Sequence, residues 1–358
     1  MRKMLIFFLF ILFSVTGLIA QDLGDTLEQL SGTAAEAYVG PIVSGFGVDI
    51  NGGWYHKAPA TKILGFTLEV GVVVMATPLK DEDDHFNTSG NFYFNRQQAE
   101  TIADGIDPDT YDPAIYDYIV DAIMEQQFTV GMSGPTIIGP SDEEIVIEFP
   151  DQPIDVVIPS VGTQTLDLPG TEFPLGVGGI LTDFNYMPLV APQLKFGTIY
   201  GTRFTLRYLP TYEIQDLGDI DYMGFGIQHN PKVWIPYPIP VDVGLAFFTQ
   251  SLDIAGIMTT KSTSYGINVS KTFGLRMLSW TPYAGFMAEN CKMEFKYDYI
   301  LEYDLVDPEV RQISFELESP NSSRLTIGSN FRLGVFNLNF DYNIGTYNSM
   351  TAGFALAF

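Results

Sequence analysis

The last 24 residues, Val335 to Phe358, constrain the fold of this chain more than any other stretch. From Phe336 to Ile344 every even position is apolar or aromatic, and every odd position is Asn or Asp. Because a β-strand points alternate side chains to opposite faces, this pattern predicts a strand with one apolar face and one polar face. After a short turn the chain ends in a second strand, with Phe354, Leu356 and Phe358 on one face.

This closing hairpin fits a membrane-spanning barrel better than a soluble sandwich. Barrel strands alternate apolar residues toward lipid with polar residues toward the lumen. In water a chain terminus usually frays, so a terminal aromatic residue is unusual there. The segment Thr351–Phe358 also resembles the C-terminal assembly signal of bacterial outer-membrane barrels: polar, any, Gly, two of any kind, apolar, any, aromatic. The hairpin therefore predicts insertion into outer-membrane lipid by the barrel assembly machinery, which would bind the strand ending at Phe358.

Residues 1–20 have the features of a secretory signal peptide. Arg2 and Lys3 precede the apolar run Met4–Phe13, and Ala20 is a small residue before a cleavage point at Gln21. A membrane-spanning helix needs about 20 apolar residues, and this run is shorter. We therefore expect an exported protein in the cell outer membrane. Residues 21–44 then form an N-terminal segment, partly helical, that is a candidate plug of the lumen.

Composition supports this class and argues against others. Aromatic residues reach 14%, while charged residues are only 17%, below the roughly 25% of soluble domains. With 43 Asp and Glu against 18 Lys and Arg, the chain is unsuited to nucleic acid, which demands basic surfaces. The single cysteine, Cys291, excludes an internal disulfide. No spacing of His, Cys, Asp or Gly matches a catalytic, metal or cofactor motif, so neither an enzyme nor a cofactor is predicted.

An acidic insertion interrupts the strand pattern at about residues 78–175. Residues 78–160 hold 18 Asp and Glu against 2 Lys and Arg. Asp112 followed by Pro113 is typical of a helix N-terminus, which predicts a helix over 113–126. A second helix is predicted over Asn95–Gly105. The insertion is a candidate binding region for a protein partner, while the oligomeric state is left open.

The remaining sequence predicts an all-β chain: a transmembrane antiparallel up-and-down β-barrel of about 14 strands, spanning residues 45–358 with the acidic, partly helical insertion. The candidate strands are 45–55, 63–75, 128–138, 187–197, 201–211, 219–229, 240–251, 262–273, 279–289, 292–303, 311–318, 323–333, 335–343 and 348–358. With Phe358 on the periplasmic side, this count places the helical part of the insertion between strands two and three, in the periplasm or in the lumen.

Several segments resemble a known family. Phe196–Pro210, Gly224–Asn230, Pro238–Val243 and Thr281–Gly285 are similar to an uncharacterised family of predicted outer-membrane proteins from Bacteroidota-like bacteria, over most of residues 38–358. The resemblance implies a location and no chemistry. A more distant likeness, in strand number and in the segment before the first strand, is to the long-chain fatty acid transporter (FadL) family.

The most site-like residues are polar side chains on the predicted lumen face. They are Glu69, Arg203, Arg207, Lys292, Glu294, Lys296, Asp298, Arg324, Arg332, Asn337, Asn339 and Asp341. These groups could select solutes in a channel, or they could form internal salt bridges in a packed lumen. Two functions follow: a channel for a small or hydrophobic molecule, or a structural barrel that presents the acidic insertion to a partner or to secretion machinery.

Overall fold

The computed structural model describes residues 32–159, 162–182, 185–214, 218–235, 237, 239–275, 277–303 and 306–358. The predicted signal peptide, residues 1–20, and residues 21–31 of the predicted N-terminal segment lie outside this range. No helix in the described part of the chain has the length and apolarity needed to cross a membrane.

Strands dominate the described part of the chain, whose N-terminal half also contains three α-helices. The helices are α1 Gly32–Asn51, α2 Arg96–Asp104 and α3 Tyr116–Glu125. The strands are β1 Leu64–Pro78, β2 His85–Phe92, β3 Phe128–Pro135, β4 Val146–Phe149, β5 Gln152–Ile158, β6 Gly162–Leu168, β7 Thr171–Pro174, β8 Tyr186–Ile199, β9 Thr202–Ile214, β10 Gly218–His229, β11 Asp242–Ile254, β12 Met258–Ser270, β13 Phe273–Leu275, β14 Leu278–Tyr303, β15 Val306–Glu318, β16 Ser323–Leu333, β17 Phe336–Ile344 and β18 Ser349–Ala357.

Ten of these strands close into an antiparallel β-barrel. In order around the ring they are β1, β8, β9, β10, β11, β12, β14, β16, β17 and β18. The last strand pairs with the first, with Val70 opposite Leu356, and β12 pairs with β14, with Tyr265 opposite Ala288. Strands β13 and β15 pair with β14 and lie outside the ring.

The predicted number of about 14 barrel strands is not confirmed. Residues 279–289 and 292–303 belong to one strand of 26 residues, β14. The predicted strands 311–318 and 323–333 correspond to β15 and β16, which lie end to end along β14. Residues 45–51 of the predicted strand 45–55 are helical, and residues 128–135 belong to a separate sheet. These four differences reduce the predicted ring to ten strands.

The exterior of the ring is apolar and its interior is largely polar. Eight of the ten wall strands have 9–14 residues, while β1 has 15 and β14 has 26. Each is long enough for a tilted crossing of a bilayer. Large apolar side chains are exposed all round the outside; examples are Phe66, Val70, Tyr208, Phe225, Phe247, Tyr265, Phe286, Ile327, Phe340 and Phe354. Aromatic residues cluster outside at the end where Phe358 lies; they include Tyr200, Trp234, Phe273, Trp280 and Phe336.

The insertion, residues 79–185, folds as a subdomain between β1 and β8. It contains a four-stranded sheet in the order β2-β3-β4-β7 and the hairpin β5-β6. Helices α2 and α3 lie where the sequence predicts them, and Asn95 closes a capping box at the start of α2. Because β1 runs away from the Phe358 end, the subdomain lies at the opposite end of the barrel, which we call the subdomain end. The prediction that it follows the second strand is wrong, since it follows the first.

Helix α1 links the subdomain to the lumen. At its start, Thr33 contacts Gly90 of β2, and Ile137 donates its backbone N–H to the carbonyl of Tyr38. At its other end Asp49 and Asn51 are buried among wall residues. Residues 52–63 continue from there to the start of β1 at the Phe358 end. Residues 32–63 therefore run through the barrel from one end to the other. We call residues 45–59 the plug.

Candidate functional site in the barrel lumen

The C-terminus of helix α1 is held by two arginines of the barrel wall. The last carbonyl groups of any helix lack partners within the helix. Arg207 donates to the carbonyl oxygens of Ile50 (3.2 Å) and Gly52 (2.6 Å). Arg324 donates to the carbonyl of Val48 at 3.5 Å and also to that of Asn51. The two positive charges also complement the negative end of the helix dipole.

These arginines come from opposite sides of the ring. Arg207 is on β9 and Arg324 on β16, which are five positions apart in a closed ring of ten strands. Arg207 is 0% exposed and Arg324 is 2% exposed. The helix end is therefore fixed across the full width of the lumen, and we call this pair the arginine clamp.

Neutral wall residues complete the attachment of the helix end. Ser262 donates to the side-chain oxygen of Asn51 at 2.6 Å, and Thr77 donates to Asp49 at 2.8 Å. The Gln250 amide also donates to the carbonyl of Ile50. Because these partners come from β1, β11 and β12, hydrogen bonds surround the helix end.

Aromatic side chains fill the lumen beyond the helix. Trp54 stacks on Phe248 with 4.9 Å between ring centroids, and Tyr55 lies edge-on to Tyr283 at 6.1 Å. Glycine is required on the facing wall, since a Cβ at Gly224 would lie 2.9 Å from the Trp54 ring. Trp54 is 1% exposed, which makes this level of the barrel a packed interior.

A group of charged residues lies nearer the Phe358 end. Lys195 of β8 donates to Nδ1 of His56 at 3.0 Å. Nε2 of His56 lies 3.2 Å from one Glu69 oxygen, and the Lys57 amine lies 3.1 Å from the other. Further along, Asn230 donates to the carbonyl of Pro59 at 2.7 Å. An ion pair thus ties the Phe358 end of the plug to β1, and a hydrogen bond ties it to β8.

Most of the predicted lumen residues point inward. Glu69, Arg203, Arg207, Arg324, Asn337, Asn339 and Asp341 are buried on the inner face. Asp341 accepts a 2.7 Å hydrogen bond from Tyr283. Arg332 lies at the Phe358 rim and donates to the carbonyls of Gly334 and Ala357. The side chain of Asp298 lies outside the described residues.

The prediction that Lys292, Glu294 and Lys296 face the lumen is wrong. They lie on the outer face, where Lys292 pairs with Glu316 at 2.6 Å and Lys296 with Glu294 at 3.1 Å. The alternate residues Met293 and Phe295 are 0% exposed and pack in the core with α1. This part of β14 rises beyond the apolar band, so its outer face meets water.

Several functional residues were not singled out from the sequence. Glu289 forms an ion pair with Arg324 at 3.2 Å, and Gln193 accepts from Arg207 at 3.0 Å. Lys195 and Gln250 also bind the plug. Alternation along β8 and β11 would have placed Gln193, Lys195 and Gln250 on the inner face. It gives no sign of what they bind.

The acidic run near the start of the subdomain holds no ligand-like arrangement. His85 pairs with Glu143 at 2.7 Å on the surface, and Asp83 accepts from Tyr347 in the β17–β18 turn at 3.1 Å. Burial, together with the Asp83 carboxylate, raises the pKa of Tyr347. Across the residues that the structure describes, no group of three or more His, Cys, Asp or Glu could hold a metal ion.

Fold and site together define a closed antiparallel β-barrel with an apolar exterior and a lumen filled by its own N-terminal segment. The chain belongs to the family of unknown function DUF6588, whose family model matches residues 1–358.

Comparison with solved structures gives weak global similarities. OmpTdeltaL8, a loop L8 deletion mutant of the outer membrane protein OmpT of Vibrio cholerae, has a TM-score of 0.23 and 8% identity over 82% of this chain and 98% of its own. The beta domain of the Bordetella autotransporter BrkA has a TM-score of 0.20 and 11% identity, over 82% and 100%. A BenF-like porin from Pseudomonas fluorescens Pf-5 has 0.20 and 9%, over 83% and 99%. Scores this low carry no functional argument. No curated protein matches the chain.

Proposed function

We propose that this protein is a non-enzymatic outer-membrane β-barrel, closed by its own plug, that anchors the acidic subdomain at the cell surface. The observation that carries the proposal is the arginine clamp, in which Arg207 and Arg324 bind the end of α1 from opposite walls. Arginines that are buried against backbone carbonyls obstruct the lumen. In a diffusion channel, by contrast, the charged residues line a water-filled path.

The barrel exterior supports a membrane location. Soluble proteins rarely expose contiguous apolar patches larger than a few hundred Å². Here Phe66, Tyr265, Phe286 and Phe340 are each more than half exposed on the outer face. The aromatic residues at the Phe358 end match the interfacial girdle of outer-membrane barrels.

The lengths of the connections support an orientation. Outer-membrane barrels have short periplasmic turns and longer extracellular loops. The turns at 200–201 and 334–335 lie at the Phe358 end, while the 107-residue insertion and the β14–β15 hairpin lie at the other. The subdomain would then face the outside of the cell, with Phe358 toward the periplasm, where the barrel assembly machinery acts.

The charge of the subdomain favours a basic partner. Residues 79–185 contain 21 Asp and Glu against 2 Lys and Arg, so a positively charged surface would be attracted to it over about 8–10 Å at physiological salt. The partner that we propose is therefore a basic protein surface, and its binding should weaken as salt concentration rises.

Planar-bilayer recording of the purified protein tests the closed lumen. We expect no steady conductance from the wild-type barrel after insertion. Migration that shifts on heating in detergent gels is the control that the inserted protein is folded. A steady conductance proportional to voltage would contradict the proposal and favour the channel function.

A further inference from the structure

Basic side chains outnumber acidic ones in the part of the lumen nearer the Phe358 end. Lys195 and Arg203 are each 4% exposed, and Lys57 lies beside them. Glu69 is the acidic group that acts on all three cations. Three basic side chains therefore share one carboxylate, and two of them, Lys195 and Arg203, are almost fully buried.

Both carboxylate oxygens of Glu69 already contact residues of the plug. One of its oxygens lies 3.1 Å from the Lys57 amine and the other 3.2 Å from Nε2 of His56. Arg203 is bound to the neutral carbonyl of Lys57 at 3.4 Å. Lys195 and Arg203 consequently lack a carboxylate of their own, and buried charges without a counter-charge are costly.

Lys195 lines a small cavity. Its volume is about 10 Å³, and its polar lining consists of His56, Glu69, Gln193, Lys195 and Asn339. Such a volume is close to the minimum for one water-sized particle. Of the three N–H donors of a lysine ammonium, one binds His56, and the other two have no partner among the described residues.

A neighbouring side chain also lacks partners. Asn337 is 0% exposed, and both polar atoms of its amide are without a hydrogen bond in the described structure. It lies on the inner face opposite Ala355, which lines the cavity. Buried amide groups normally have a partner, so the strand that supplies Asn339 to the cavity lining also carries an unsatisfied amide two residues away.

We infer that this cavity binds one monatomic anion of the halide class against Lys195. A halide is similar in size to a water molecule, and it would supply the negative charge that Lys195 and Arg203 lack. The cavity is too small for sulfate or a carboxylate. This inference does not depend on the proposed anchoring function or on the orientation in the membrane.

Halide dependence of stability provides the test, using the full-length protein in a nonionic detergent. The thermal unfolding midpoint is measured at constant ionic strength while gluconate is replaced by chloride or bromide. We expect a saturable rise in the midpoint, because a ligand that binds only the folded state stabilises it. The rise should vanish in Lys195→Met and persist in the exposed control Lys261→Met.

Crystals of the wild-type protein in bromide give a second measurement that needs no variant. Anomalous scattering should place bromide within hydrogen-bond distance of the Lys195 amine. Equal midpoints in gluconate and chloride, together with a water in place of bromide, would overturn the inference. A bromide peak without any change in midpoint, an adventitious ion only, would overturn it as well.

Discussion

Arg207 lies over the indole of Trp54, with 3.9 Å between its guanidinium carbon and the ring centroid. The same guanidinium binds the carbonyls of Ile50 and Gly52. One wall residue therefore contacts both the end of helix α1 and the aromatic segment that follows it. A cation–π contact in a desolvated site is worth about 2 kcal/mol, so Arg207 should contribute strongly to retention of the plug.

Removal of Arg207 should destabilise the barrel and loosen its plug. Arg207→Ala leaves the buried carbonyl of Gly52 without its donor and the carbonyl of Ile50 with Gln250 alone. We expect this to lower the free energy of unfolding by about 2–4 kcal/mol. Guanidinium titration of the protein in lipid vesicles measures this change. The double variant Arg207→Ala/Arg324→Ala should show intermittent conductance in planar bilayers.

Arg332→Ala is the matched control for the clamp. Arg332 is also a lumen arginine, but its hydrogen bonds go to the carbonyls of Gly334 and Ala357 at the rim. We expect the Arg332→Ala variant to show no conductance in planar bilayers. If the double variant is as silent as Arg332→Ala, the clamp is not what closes the lumen.

The passage of the N-terminal segment through the barrel predicts which residues are accessible from each side. Glu36 is exposed near the start of α1 at the subdomain end, whereas Lys232 lies in the turn that follows β10 at the Phe358 end. With Cys291 replaced by alanine, Glu36→Cys should react with an impermeant maleimide on intact cells. Lys232→Cys should react only after the outer membrane is permeabilised.

Asp142→Cys, on the subdomain surface, provides the positive control for this labelling. It should react on intact cells to the same extent as Glu36→Cys. Labelling of Lys232→Cys on intact cells, with Glu36→Cys protected, would reverse the proposed orientation.

Alternation along the strands was enough to predict which side chains share a face. It placed Arg203 and Arg207, and likewise Asn337 and Asp341, on the inner face where the structure has them. It failed at Lys292, because a period of two does not say which face meets water. Beyond the apolar band the outer face of the wall meets water and the inner face is packed. Polar side chains therefore point outward there and apolar ones inward.

The plug helix was missed for a different reason. Residues 45–51 are buried on every side, so they show no helical period of apolar residues. Gly45 and Gly47, with Pro41 inside the helix, also have low helix propensity. Tertiary contacts require these glycines, since a Cβ at Gly47 would lie 2.6 Å from that of Ser319. A local pattern cannot show contacts so distant in sequence.

The aromatic core of the subdomain should control its stability without unfolding the barrel wall. Phe94 packs against Phe92, Phe128, Phe149 and Phe173, with ring centroids 5.3–5.7 Å apart. Phe94→Ala should cost about 3–5 kcal/mol. Limited proteolysis should then cut within residues 79–185, while the barrel keeps its heat-modifiable migration. Tyr93→Ala, at a side chain that is 45% exposed, is the control and should resist the protease as the wild type does.

The subdomain should also lose stability at alkaline pH through Tyr116. Its hydroxyl donates to Asp104 at 2.6 Å, and this hydrogen bond is the main reason that the pKa of Tyr116 is raised above its ordinary value of about 10. Because the raised pKa belongs to the folded state, the stabilisation is complete below pH 10 and is lost as pH rises through the folded pKa.

Tyr116→Phe removes the hydrogen bond and the titration together. The variant should be less stable than the wild type at neutral pH, and the difference should narrow above about pH 10. Proteolysis of the subdomain in increasing urea, at pH 8 and at pH 11, measures this difference in stability. A difference that widens with pH would contradict the role given to the Tyr116 hydroxyl.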